Sequence, residues 1–423
     1  MTESELDLET PASYLDVVRR NHNYRSIWIG EIVSLFGDWF NLIASAALVA
    51  TLTHSGLAVG GLFVIRMLAP FLISPLAGVA ADRYNRKLLL IAADLSRALV
   101  VSGFLLVRNA NQVWLLYTLT AVQLALSGFF IPARGAILPD IVSRRELGAA
   151  NALSSITWSV MLALGAALGG LVAGEWGIYP AFVVDALSFV WSAVFISRIH
   201  YIPLPAAHAA GNIWQVALSQ YAEGLSYLRH HADILAIALH KSATSLTVNG
   251  AFQVAMVALA EKTFPIGQGG GTSLGLMYAV WGLGTGLGPV LTRRITGDRE
   301  RLQRLALVFS YGFCVLGLAI AAPVSSFALV LLGTFLRSIG SGINWVFSSQ
   351  LLLQNLPGWV RGRVFSTEFA MFTLSSAIST AAAGWALDNS TLGVSGLLWL
   401  LAGLTVMPGV LWSIWVARGK RGE

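Results

Sequence analysis

Charge is what this 423-residue chain has least of: Asp, Glu, Lys and Arg make up 11% of it, against about 25% in an ordinary soluble domain. With 56% hydrophobic residues beside that shortage, it cannot cover a globular surface with polar groups, which excludes a soluble fold. Cysteine occurs once, as Cys314 inside an apolar run, so a disulfide framework and a thiolate metal cluster are both excluded. A basic start followed by a short apolar core is also missing. The first ten residues carry Glu3, Glu5, Asp7 and Glu9 before any Lys or Arg, so the expectation is an uncleaved, cytosolic amino-terminal tail. Segments of alternating polarity, the mark of an outer-membrane barrel, are absent as well.

Long apolar runs are present instead. They fall near 27–52, 57–80, 88–107, 112–132, 149–173, 178–197, 233–259, 272–292, 304–322, 326–349, 364–387 and 393–416. Each reaches the roughly 20 residues a bilayer-crossing helix needs, and only a helix satisfies its own backbone in lipid. The predicted fold class is therefore an all-α membrane protein with twelve transmembrane helices. Lys and Arg fix the expected orientation. Counting from a cytoplasmic start, twenty lie in the tails and even-numbered turns, and only Arg108 and Lys262 lie on the other side. Both termini are expected in the cytoplasm, in the cytoplasmic (inner) membrane. The same dispersal explains the net charge of +6 without nucleic acid.

The longest connection follows the sixth run and divides the chain into a tail (1–26), a six-helix bundle (27–197), a linker (198–232), a second bundle (233–416) and a tail (417–423). In the linker, Trp214, Ala217, Leu218, Tyr221, Leu225 and Leu228 recur at near-helical spacing among polar residues, which predicts an interfacial amphipathic helix. The stretch from Ala136 to Glu146 after run four echoes that from Leu351 to Arg361 after run ten; both pass through Pro and Arg into the next helix. Two pseudo-repeated bundles about a cavity are an architecture of secondary transporters.

The turn between runs two and three reads Gly78-Val-Ala-Ala-Asp82-Arg83-Tyr-Asn-Arg86-Lys87. This resembles the signature of major facilitator superfamily transporters at the same turn, with Asn85 where the family has Gly; Asn also tolerates the left-handed conformation. Pro132-Ala-Arg134-Gly-Ala-Ile-Leu-Pro139-Asp140 and Arg361-Gly-Arg363-Val-Phe-Ser366 are similar to the drug- and siderophore-exporting branch, of the macrolide-efflux and enterobactin-exporter type. The resemblance implies a cytoplasmic gate of Gly78, Asp82, Arg83, Arg86 and Lys87, with Asp82 meeting the start of span eleven near Arg361 and Arg363. Gly165-Ala-Ala-Leu-Gly169-Gly170 is similar to the exporters' antiporter motif but has Ala166 where Pro is frequent; its glycines, like Gly284 and Gly288 in span eight, also suit close helix packing. The span-four Arg of many proton-coupled exporters is not recognisable between Leu119 and Gly128.

An ionisable group at mid-bilayer costs about 2.5–3.5 kcal/mol by insertion measurements, so each is a functional candidate. Asp38, Arg66, Arg97, Asp185 and Arg337 fall near the midplane, and Glu31, Asp94, Lys241 and Glu368 toward the cytoplasmic side. Asp38, Arg66, Arg97, Asp185, Arg337 and Glu368 are the candidate coupling and substrate-cavity residues. Asp38 and Arg66, at similar depth on adjacent helices, are placed for a charge pair, Asp94 and Arg97 for a local pair, and Asp185 stands alone among aromatic and apolar neighbours. Trp39, Trp158, Trp281 and Trp345 would suit a cavity for large apolar molecules or a lipid interface. Gly282-Leu-Gly-Thr-Gly-Leu-Gly288 follows no strand and Gly267-Gln-Gly-Gly-Gly271 lacks the Lys of a phosphate loop, so no nucleotide-driven pump is expected. His230, His231 and His240 lack metal spacing and are expected to be solvated. No catalytic constellation appears.

The resemblance thus implies a secondary active exporter of amphipathic small molecules driven by the proton gradient, with lysolipid translocation or ligand sensing on the same fold as the alternative. The expected partners are a small-molecule substrate, protons and membrane lipid. A monomer is expected, with no cofactor, metal or nucleic acid.

Overall fold

The computed structural model describes residues 13–201, 213–297, 299–357 and 360–419, with the side chains of 74, 75, 78, 79, 81–83, 144, 152, 155, 213–218, 220, 221 and 419 outside that description. Helices account for nearly all of it: α1 (Tyr14–Arg20), α2 (His22–Thr53), α3 (Gly56–Arg83), α4 (Arg86–Ser102), α5 (Val113–Ile141), α6 (Arg144–Glu175), α7 (Ile178–Ser197), α8 (Ile213–His230), α9 (Ala232–Thr244), α10 (Gly250–Ala258), α11 (Gly271–Thr296), α12 (Glu300–Ala321), α13 (Phe327–Asn355), α14 (Arg361–Asn389) and α15 (Gly393–Gly419). Among the described residues twelve helices are long and apolar enough to cross a membrane, and α9 and α10 together form one of them, Ala232–Thr263. Two π-turns, Ser245–Asn249 and Leu259–Thr263, interrupt that span. The helices extend past the apolar runs at their basic ends, because α-helical hydrogen bonding continues wherever a cap is available. Ser143 and Glu146 cap α6 reciprocally, and Asn85 caps α4 by accepting from the Lys87 and Leu88 amides. Asn85 has φ −60°, so it serves as a cap and not as the left-handed turn residue expected from its place in the motif.

Internal contacts divide the chain into two compact units, one of Met1–Ser45 with Ala69–Trp214, the other of Ala46–Leu68 with Gln215–Glu423. The division differs from the sequence-drawn halves at Ala46–Leu68, the end of α2, the start of α3 and the turn between them, which groups with the second unit. The reason is a cap supplied from far along the chain. Asp388 near the end of α14 accepts from the Gly56 and Leu57 amides at 2.7 and 2.8 Å and from Ser55 Oγ at 2.6 Å. A carboxylate there satisfies the open amides at the start of α3. Gly60 lets the helices touch, since a Cβ on it would lie 2.9 Å from the Thr380 carbonyl oxygen.

Packing within each unit uses small residues where helices cross, as expected where lipid removes any hydrophobic drive between helices. In the first unit Gly165 lies under Trp39 and Gly169 under Phe40, and Gly170 is buried beside them. In the second, Gly284 and Gly288 face Phe335 and Ile339 of α13. Gly165, Gly169, Gly284 and Gly288 thus each lie against a neighbouring helix. The sequence reading passed over Gly333 and Gly340, which bring α12 and α13 together against Ala321 and Ser310.

The linker helix is present as α8. Its buried Leu228 joins the core that includes Ile234, Leu351 and Val364, and Gly224 packs against Arg363 and Thr367. The residues that gave it an amphipathic pattern, Trp214 to Tyr221, lie mostly outside the described side chains.

A Cβ on Gly333 would stand 2.8 Å from the Ala321 Cβ, whereas one on Gly312 of α12 would have nothing within 4 Å. Gly333→Val should therefore destabilise the detergent-solubilised protein by about 1–3 kcal/mol through overpacking. Gly312→Val should leave the thermal-unfolding midpoint unchanged, and equal shifts in the two variants would refute this account of the crossing.

Candidate functional site

In the first unit, α2, α5 and α7 bring three polar side chains together. Gln123 Nε2 lies 3.5 Å from Asp38 Oδ1 and 3.5 Å from Asp185 Oδ2. An amide nitrogen has two hydrogens, one for each carboxylate. Gln123 and Asp185 are buried. Gly37 makes the approach possible, because a Cβ there would sit 2.6 Å from Asp185 Oδ1 and 2.8 Å from Ser188 Cβ. Asp185, expected to stand alone, therefore shares a donor with Asp38; its partner lies on another helix, 62 residues away in sequence. Asp38 and Arg66 belong to different units, and the bond described for Asp38 runs to Gln123.

Arg97 is ion-paired with Asp94 one turn earlier on α4, as the spacing predicted. Its Nη1 also donates to Ser127 Oγ at 3.3 Å, and the rings of Phe130 and Phe189 lie 4.6 and 4.3 Å from the guanidinium. This charge is neutralised and fully surrounded. Glu31 and Arg134 form a second pair at 2.5 Å, joined by Ser154.

The second unit carries Lys241 paired with Glu368 at 3.1 Å, both buried, with the ammonium 4.6 Å from the Trp345 ring centre. Arg337 is buried completely. Its Nη1 donates to Asn249 Oδ1 at 2.7 Å, and the rings of Phe252 and Trp281 lie 4.2 and 4.7 Å from the guanidinium. Arg66 falls in this unit, and both arginines act electrostatically on the Tyr278 hydroxyl.

Of the expected gate residues, Gly78, Asp82 and Arg83 lie outside the described side chains. Arg86 pairs with Asp140 at 2.6 Å and donates to the Ala136 carbonyl, and Lys87 donates to the Ile199 carbonyl at 2.7 Å. Burial holds the nearby Tyr201 phenol above its ordinary pKa, so it stays protonated in its contact with Asp140 and Arg86. Arg361 donates to the Leu356 carbonyl, and Arg363 pairs with Glu223 of α8 at 2.7 Å.

His240 corrects the expectation of a solvated histidine. It is buried, bonded through Nδ1 to the Tyr311 hydroxyl at 2.8 Å, with the Trp412 ring edge-on at 4.2 Å. His230 and His231 are exposed and bonded to backbone carbonyls one turn back. Among the described residues no group of His, Cys, Asp and Glu is placed to hold a metal.

Twelve apolar helices in two units, with paired charges and shared amides at mid-helix and no metal cluster among the described residues, have the build of a membrane transporter. Residues 27–358 match the Major Facilitator Superfamily profile, and the chain belongs to that family. It is 27% identical over 407 residues to YfiS of Bacillus subtilis strain 168, named an uncharacterized MFS-type transporter, with 92% of this chain and 94% of that one covered. It is 22% identical over 369 residues to BacE of Bacillus amyloliquefaciens, provisionally named a bacilysin exporter, covering 85% and 87% of the two chains. The crystal structure of the nucleoside transporter NupG superposes with a TM-score of 0.70 at 14% identity, covering 93% of this chain and 98% of that one. The protein is thus a multi-pass membrane transporter and not an enzyme.

Removing one member of the Lys241–Glu368 pair leaves a buried charge without its partner, which costs about 3–5 kcal/mol, whereas apolar replacement of both is close to neutral. Lys241→Met alone should lower the thermal-unfolding midpoint sharply, and Lys241→Met with Glu368→Leu should recover most of it. A double variant no better than the single would show the pair contributes nothing through charge.

Proposed function

We propose that this chain is a proton-coupled exporter of amphipathic small molecules, acting by alternating access as a monomer in the cytoplasmic membrane, with both termini in the cytoplasm. The observation that carries the reading is the pair of carboxylates, Asp38 and Asp185, meeting one amide nitrogen of Gln123. An ionised carboxylate only accepts hydrogen bonds, while a protonated one also donates. A proton arriving on either acid changes which bonds Gln123 makes, and so couples protonation to the positions of α2, α5 and α7. Like-charged groups this close in a poorly polarisable interior interact strongly, and a single proton alters that interaction. Such a group needs no span-four Arg. Export as the direction draws support from the name of BacE, and the twenty-to-two distribution of basic residues supports cytoplasmic termini.

Proteoliposomes with an imposed pH gradient test the proposal. Ethidium or erythromycin should drive proton movement, and lysophosphatidylcholine in the same vesicles should not. Asp38→Asn and Asp185→Asn should each reduce gradient-driven uptake to the level of empty liposomes while sparing substrate exchange. Uptake in both variants with the wild-type pH dependence would dismiss the carboxylate pair as the coupling group.

A further inference from the structure

Three of the basic side chains inside the spans, Arg97, Arg134 and Lys241, are ion-paired with Asp94, Glu31 and Glu368. Arg337 is built differently. It is as deeply buried as any of them, yet among the described residues no carboxylate lies within ion-pair distance of it, and its Nε and Nη2 have no hydrogen-bond partner. Leaving two guanidinium donors unmet in a dry interior costs about 1–3 kcal/mol each, more where the group is charged.

The two open nitrogens are informative as a pair. Nε and Nη2 form the side-on edge of the guanidinium, whose parallel N–H bonds match the two oxygens of one carboxylate. Nη1 is taken by Asn249, so the group is held in orientation while neither nitrogen of that edge makes a hydrogen bond. Phe252 and Trp281 flank the cation at 4.2 and 4.7 Å, confining access to the edge. The π-turn Ser245–Asn249 carries the residue that orients Arg337, and such turns are frequent at functional sites.

We infer that the side-on edge of Arg337 is a recognition site for a carboxylate carried by the transported molecule. The inference rests on the transporter reading and deepens it, since it gives the amphipathic cargo a carboxylate as its polar end. In the conformation described the edge is sealed from solvent, so the ligand reaches it only when a rearrangement of the second unit exposes it.

Binding to the purified full-length protein in detergent, with no gradient present, separates this inference from the export proposal. Benzoate should raise the thermal-unfolding midpoint and give saturable binding by calorimetry; benzamide, of the same shape without the charge, should do neither. Arg337→Lys keeps the buried charge and loses the fork, and it should weaken benzoate binding about tenfold. Arg337→Gln should abolish it, and where that variant elutes as aggregate the lysine variant carries the comparison. Asn249→Ala, which keeps the charge and removes the bond that orients the fork, should weaken benzoate binding while keeping the preference for benzoate over benzamide. Equal effects of benzoate and benzamide, or wild-type benzoate affinity in Arg337→Lys, would overturn the inference. Loss of proton-driven transport in vesicles would leave the binding result standing and sink the export proposal alone.

Discussion

An ionised side chain in a lipid-embedded bundle has no water to turn to, and the architecture of both units follows from that constraint. Asp94 with Arg97, Glu31 with Arg134, and Lys241 with Glu368 answer it by direct pairing. Asp38 and Asp185 answer it through a shared neutral donor, and Arg337 through aromatic faces and a single amide. The three answers differ in how readily they change. An ion pair cancels its charges within itself, although Arg97 Nε, Arg134 Nε and Glu368 Oε1 still make no hydrogen bond, whereas a shared donor or a guanidinium without a carboxylate depends more on what else arrives.

Those distances exist only because the helices cross closely. Gly37 brings the backbone of α2 against the side chains of Asp185 and Ser188, and Gly333 with Gly340 brings α13 onto α12. The absence of a Cβ at a crossing and the presence of a polar network beside it are two sides of one packing solution. Neighbouring Ser and Thr hydroxyls bond mostly within their own helices, as Ser127 to Gln123 and Thr334 to Val330 show. They supply polar surface without demanding partners across a crossing.

The spans were legible because apolar length is a property of consecutive residues, and each predicted run lies within or close to a helix of the structure. The Asp94–Arg97 pair was legible for the same reason, its members being three residues apart on one helix. The candidate site was legible only as a set of charges. Gln123 carries none, so nothing in its own segment marked it, and its acids lie 85 and 62 residues away. His240 looked solvated beside His230 and His231 because its Tyr311 partner is 71 residues on. Asp388 passed unremarked as the cap of a helix that begins 332 residues earlier. Contacts between helices decide these roles, and a single sequence records them only where the residue type itself is conspicuous.

The break in the seventh span gives the chain a property of its own. A π-turn accommodates one residue beyond α-helical register, and each residue of a helix turns the next by roughly 100°. Asn249 meets Arg337 at the end of such a turn. The length of this segment is therefore as much part of the site as its composition: removing a single residue between Ser245 and Asn249 would restore an unbroken helix and swing the amide from the guanidinium, with every side chain at the site unchanged. Variation among relatives by insertion and deletion here, and not only by substitution, would retune what the second unit binds.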